Sequence, residues 1–393
     1  MEEKNKKNVK KIIIGIIVIG VIVGLAICFI VAYNNTKVSN NQTNTITTNI
    51  SDKTESSSSK TTKSDDKNLN ITSGGNYDLS GEYESITINT SQEVSLNLNG
   101  VQITNSSGPA INVEKAKKVT IVLSGTNKVI ATTTEDLDGA IYSKADLVIT
   151  GNGSLEVKSN YDGIVSKDTL VIENGTYTIT TDDDGIRGKD FVEISNGSFT
   201  INAGGDGIKS TNDEDTSLGY VTVKGGTFNI TAKSDGIQGI TKATISGGTF
   251  NITSAEGIEA TYIKIDDGNI NISASDDGIN ASQKSNIGTP TIEINGGNIS
   301  IKMGQGDTDG IDSNGNIYIN GGTINITANS PFDYDGTAQK NGGTLIVNGT
   351  ETNTITNQMM GGGMKGGMPG QMNQDGRMPN GGQMQMNGGR RGR

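Results

Sequence analysis

The stretch GGTFNIT occupies residues 225–231 and returns unchanged at 247–253. Its polar and apolar residues alternate with the period of a half-buried strand, sending Phe228 and Ile230 to one face and Asn229 and Thr231 to the other. Looser copies stand at 174–180 (NGTYTIT), 196–202 (NGSFTIN), 267–273 (DGNINIS), 296–302 (GGNISIK) and 321–327 (GGTINIT). A second phrase keeps step with it, an acid followed by Gly. It occurs at Asp138, Asp162, Asp184, Asp206, Asp235, Glu256, Asp277, Asp309 and Asp335, most often 21 or 22 residues apart. A period of that length is the mark of a solenoid of stacked coils.

Each unit supplies three short apolar positions between Gly, Asn and Asp: the FNIT strand, the strand of TISGG with Ile245 inward, and the Ile after each acid-Gly step. No helical period runs through them. Leucine-rich repeats share the length but need Leu at fixed places, and Leu is scarce. The expectation is therefore an all-β parallel β-helix over 68–357, a solenoid of about 22-residue coils. The general rule for parallel crossovers makes it right-handed. Two coils are longer at the same phase, near 210–218 (STNDEDTSL) and 283–290 (QKSNIGTP). Insertions at one phase project from one edge, and they are expected to wall a ligand groove beside the DGI strand.

Composition narrows the chemistry. The chain of 393 residues has no His, one Cys and no Trp. His-based triads, imidazole metal sites, internal disulfides and four-thiolate zinc sites are excluded. Region 68–357 holds 36 acids against 17 basic residues, which makes nucleic acid an improbable partner.

Residues 12–33 (IIIGIIVIGVIVGLAICFIVAY) are uncharged and long enough to span a bilayer as a helix. Five Lys lie in the preceding segment 1–11, which places the N-terminus in the cytoplasm and the rest outside, a single-pass anchor at the cell membrane. Segment 34–67 is rich in Ser, Thr, Asn and Lys and reads as a disordered linker. Segment 358–393 holds eight of the ten Met, with Gly and Gln, and reads as a disordered tail.

The acids ask for an explanation of their own. Stacked at about 4.8 Å, neighbouring carboxylates repel by roughly 3–4 kcal/mol at an effective dielectric near 20. A turn alone could use Asn, with Gly supplying positive φ, and this chain uses Asn freely elsewhere. Keeping acids implies a compensating cation, and oxygen ligands without His or Cys select Ca2+. The candidate ligands are Asp182, Asp183 and Asp184 beside Asp206; Asp235; Asp276 and Asp277; and Asp307, Asp309 and Asp312 of GDTDGID (306–312).

The repeated DGI and GGTFNIT phrases over about 70–355 resemble the surface carbohydrate-binding domain family, as does the Met/Gly-rich tail. The resemblance implies a secreted or membrane-anchored Gram-positive protein with a right-handed parallel β-helix similar in shape to pectate lyases. It also implies bound calcium and binding of plant-wall polysaccharide such as polygalacturonate or cellulose. The family's calcium acids carry over only to the DG positions, and Glu256 departs from that pattern.

Three functions compete. A surface glycan-binding module would need Ca2+ to bridge an acidic body to polyuronate, with Asn and Thr outside the strands bonding sugar hydroxyls and stacking from Tyr161, Tyr177, Tyr220 or Tyr262. A polysaccharide lyase would need a base, for which Arg187, Lys189 and Lys209 follow DGI steps closely enough. An adhesin or wall spacer would need neither.

Overall fold

In a computed structural model, residues 60–62, 67–306 and 308–357 are described; segments 1–11, 12–33 and most of 34–67, residue Asp307 and the tail 358–393 lie outside them. No described helix is long and apolar enough to cross a membrane, a statement that does not reach segment 12–33.

The FNIT copies form strands whose apolar residues vanish inward and whose polar residues face solvent. Thr227–Ala232 alternates exposed and buried along its whole length. Successive coils pair in parallel and in register, Phe199 against Phe228, Phe228 against Phe250, then Ile270, Ile299 and Ile324. Because the same side chain recurs at the same height, the rings of Tyr177, Phe199, Phe228 and Phe250 stack at 4.6–4.7 Å. Aligned apolar stacks of this kind are the core of the solenoid.

The TISGG strands make a second column, running Val192, Val221, Ala243, Ile263, Ile292 and Ile317 from coil to coil. These two columns belong to one 24-stranded sheet, and the DGI strands form a separate twelve-stranded sheet among the described residues. In that third column Ile164, Ile186, Ile208, Ile237, Ile258, Ile279, Ile311 and Phe332 lie one above another, all buried. The result is an all-β, β-helix-like stack of parallel strands.

The two kinds of Gly serve different ends. At the Gly-Gly corners before the FNIT strands, Gly226 and Gly248 have φ of 111° and 109°, a region L side chains rarely adopt. The Gly of the DGI step does not: at Gly236 an added Cβ would lie 2.4 Å from Cγ2 of Ile252 and 2.6 Å from the carbonyl oxygen of Gly257. It is there because coils approach too closely for a side chain, not to supply positive φ.

Two further expectations are corrected. Lys60–Thr62, expected within the linker, pairs in parallel with Tyr77–Leu79, since the first coil otherwise leaves a strand edge open. Asp335 is not a step of the acidic column; Ser330 is the residue in register with Asp309. At the other end Thr350–Thr352 returns antiparallel against Leu345–Val347.

Candidate functional site

The third column places the acids at one corner, and the bond they make there is not a local turn. Oδ1 of Asp162 accepts the backbone N–H of Asp184 at 2.9 Å, Asp184 accepts that of Asp206 at 2.8 Å, and Asp206 that of Asp235 at 2.8 Å. Asp277 accepts from Asp309 at 3.2 Å. Each of these four carboxylates thus staples its coil to the next, and Asp162, Asp184 and Asp206 are buried in doing so; Asp235, which only donates its N–H to this ladder, is buried as well.

The compensation that the crowding demands is in part the protein's own. Arg187 and Lys209 occupy the outward position after the Ile and lie in register. The Arg187 guanidinium pairs with Asp138, lies 2.5 Å from Oδ2 of Asp162 and approaches Asp184 at 3.8 Å. Lys209 Nζ lies 2.7 Å from Oδ2 of Asp206 and 3.5 Å from Oδ2 of Asp184. Burial raises the Asp162 carboxyl to about 7, with Arg187 the main influence holding it down. Burial likewise raises Asp184, opposed by Lys209. Burial works against the charge on Arg187 and Lys209, yet the acids beside each leave both above their ordinary values.

The upper half of the column differs. The same outward position runs Gln238, Glu259, Asn280 and Asp312. Carboxylate oxygens of Asp235, Glu256 and Glu259 lie within 4.8 Å of one another. Gln238 Nε2 donates to both Asp235 and Glu259, the latter at 3.1 Å. Lys284, from the second insertion, reaches Glu259 at 2.6 Å. Asn280 donates its amide to Glu256 at 3.1 Å, while its own Oδ1 is buried without a hydrogen-bond partner. Burial raises Asp235, with Asp206 and Glu259 adding to it, and raises Glu256 to about 7, with Glu259 adding. Further along, burial with neighbouring acids raises Asp277 to about 6 and Asp312 to about 7.

The remaining candidates scatter. Asp183 is exposed, yet one of its carboxylate oxygens lies within 4.8 Å of those of Asp162 and Asp184. Asp182 and Asp276 are exposed beside the column, Asp309 is half-buried, and Asp307 lies outside the described residues. Lys189 sits away from Arg187 and Lys209 and pairs with Glu214 of the first insertion at 3.5 Å. Tyr161 is half-buried next to Asp162. Tyr177, expected among the stacking rings, is 1% exposed and belongs to the core stack. Tyr220 stacks flat on Phe191 with centroids 4.9 Å apart, and the Tyr262 hydroxyl binds Glu293. The outer Asn are partly spent on each other, Asn271 donating to Asn251 and Asn251 to Asn229. Sequence reading passed over Gln238, Glu259, Asn280 and Lys284, and counted Asp138 as an acid-Gly step without making it a candidate ligand. All but Asp138 and Lys284 stand directly after a repeated Ile, so the outward column was readable from the same repeat.

Comparisons with known proteins place the chain in a family. A family model described as carbohydrate-binding domain-containing protein matches residues 65–310 and 256–375. A protein of that description from Acetivibrio thermocellus is 31% identical over 111 residues, covering 25% of this chain and 39% of its own length. The chain thus spans 39% of the curated relative it matches. A solved structure described as the polysaccharide lyase-like protein from C. thermocellum, a gadolinium derivative, aligns at 31% identity and a TM-score of 0.44. It covers 49% of this chain and 87% of its own. With its family model matched over more than half its length, the chain belongs to the carbohydrate-binding domain-containing family.

Proposed function

We propose that this chain is a cell-surface binder of acidic, plant-wall-type polysaccharide, held in a Gram-positive membrane by segment 12–33 and dependent on Ca2+. Family membership supports sugar binding. The observation that carries calcium is the group of Asp235, Glu256 and Glu259 with the unpartnered buried Oδ1 of Asn280 beside it. This is an all-oxygen donor set of the kind Ca2+ takes. One coil further on, burial with neighbouring acids raises Asp277 and Asp312 beside Asp309. The lower group, Asp162, Asp183 and Asp184, fits less well, because two cations, Arg187 and Lys209, already meet its acids, whereas among the described residues the upper group is met by Lys284 alone, at Glu259. A bound Ca2+ would supply charge neutralisation and a bridge from these carboxylates to those of the glycan. Gln238 and Asn280 would orient the acids by their amides.

Binding is favoured over cleavage for a physical reason. A lyase needs a free base beside the cation-binding acids, and the three that follow DGI steps, Arg187, Lys189 and Lys209, are all tied to acids. The test is co-sedimentation of the full chain with polygalacturonate and with cellulose, with calcium and with EDTA. Retention is expected to be strong in calcium and to fall well below that level in EDTA, with no ultraviolet absorbance from unsaturated product. A Glu256→Gln/Glu259→Gln double variant should lose calcorimetrically detected Ca2+ at this place. Retention that ignores both EDTA and the double variant would refute calcium dependence.

A further inference from the structure

Where the FNIT strands turn into the acidic corner, three successive coils carry mostly small residues: Ser254 and Ala255, Ala274 and Ser275, then Gly304 after a buried Met303. Their registers place Ser254 against Ala274 and Ala274 against Met303. The missing bulk leaves an open groove of about 540 Å³, whose lining includes the side chains of Thr253, Ser273 and Ser275. Two exposed lysines close it at opposite ends. Lys233 follows Ala232 in the first coil, and Lys302 stands in register with Ser273 in the last. Three coil steps separate them, roughly 14 Å at about 4.8 Å per step.

Among the described residues neither lysine makes an ion pair, whereas ten other basic side chains do. Seven of the 17 basic residues in 68–357 are outside such pairs, and of these Lys233 and Lys302 are the two that line the hydroxyl-bearing recess. An exposed acid, Asp276, adjoins Ser275 between them and disfavours a carboxylate at mid-groove. No exposed aromatic lines the recess, so a neutral sugar would have little to stack on.

We infer that this groove is a metal-independent subsite for an acidic oligosaccharide, with Lys233 and Lys302 each taking a sugar carboxylate and the Thr253, Ser273 and Ser275 hydroxyls bonding the sugars between. The inference rests on the carbohydrate-binding reading but not on calcium. Its partner chemistry is a uronate chain a few sugars long, whose carboxylates recur along one edge.

The experiment is titration of the full chain with oligogalacturonate in EDTA, at low and raised salt, beside its methyl-esterified form. Wild type is expected to bind the free acid and not the ester, with affinity falling as salt screens the pairs. Lys233→Glu/Lys302→Glu should weaken binding in EDTA at least tenfold, while Lys242→Glu, on another face, should leave it unchanged. Both substitutions are at exposed sites, and an unchanged melting point shows that the fold persists. Equal affinity of the double variant and wild type in EDTA, or equal binding of acid and ester, overturns the subsite while leaving the calcium-dependent reading standing. Failure of wild type to bind any glycan, with or without calcium, overturns both.

Discussion

Asp206 donates its backbone N–H to Oδ1 of Asp184 at 2.8 Å, while Lys209 joins the Oδ2 atoms of the same two residues. One oxygen of each carboxylate therefore holds the backbone and the other meets a cation. Asn could replace the first role but not the second.

Arg187 is where that division is most exposed to test. Replacing it by Met leaves Asp138, Asp162 and Asp184 facing one another without their guanidinium. Removing one partner of a buried ionic group costs about 3–5 kcal/mol. Urea unfolding at neutral pH is expected to show a loss of that size, and the loss should shrink as acid protonates Asp162 and Asp184, whose carboxyls burial already raises. A variant as stable as wild type at neutral pH would mean the acids are compensated some other way.

Asp184→Asn and Asp184→Ala separate the two roles. The Asn variant keeps an acceptor for the Asp206 N–H, whereas the Ala variant orphans a buried donor, a further cost of about 1–3 kcal/mol. The Ala variant should be the less stable by that margin in the same unfolding assay. Equal stabilities would show that the staple contributes nothing.

Gly236→Ala tests why Gly follows the acid. The added methyl would overlap Cγ2 of Ile252 and the Gly257 carbonyl, and forced overpacking costs about 1–3 kcal/mol. Thermal unfolding should show a lowered midpoint. An unchanged midpoint would mean that the coils can move apart.

Acidity should act on the other half of the column in the opposite sense to ordinary surface acids. Glu256 and Asp312 titrate near 7 and Asp277 near 6 when folded, all above their ordinary values. Between about pH 4 and 7 the folded chain holds protons the unfolded chain has released, so stability falls as pH rises through that window. In EDTA the melting point should drop by a few degrees from pH 5 to pH 8. Calcium should raise it more at pH 8 than at pH 5. A melting point that climbs over this range in EDTA would contradict the raised values.

The strand periods were legible because each coil repeats the same inward residues, and Phe228, Ile245 and Ile237 are buried as the alternation requires. The corner acids were legible too, but not what neutralises them. Arg187 stands 49 residues from Asp138 in sequence and meets it only through stacking of coils. The Gly of the DGI step misled for a related reason. A repeat shows that a small residue is needed, not whether torsion or the neighbouring coil demands it. Asp138 itself slips the register, since Gly139 is the residue opposite Asp162, a shift that an acid-Gly count cannot reveal.

The antiparallel return of Thr350–Thr352 against Leu345–Val347 has a bearing on self-assembly. Every coil presents the next with an interchangeable template, so a bare final strand would invite another molecule to continue the ladder end to end. Reversing chain direction at the last step of this column replaces that template with a mismatched one, which disfavours end-to-end continuation of the ladder through Leu345–Val347.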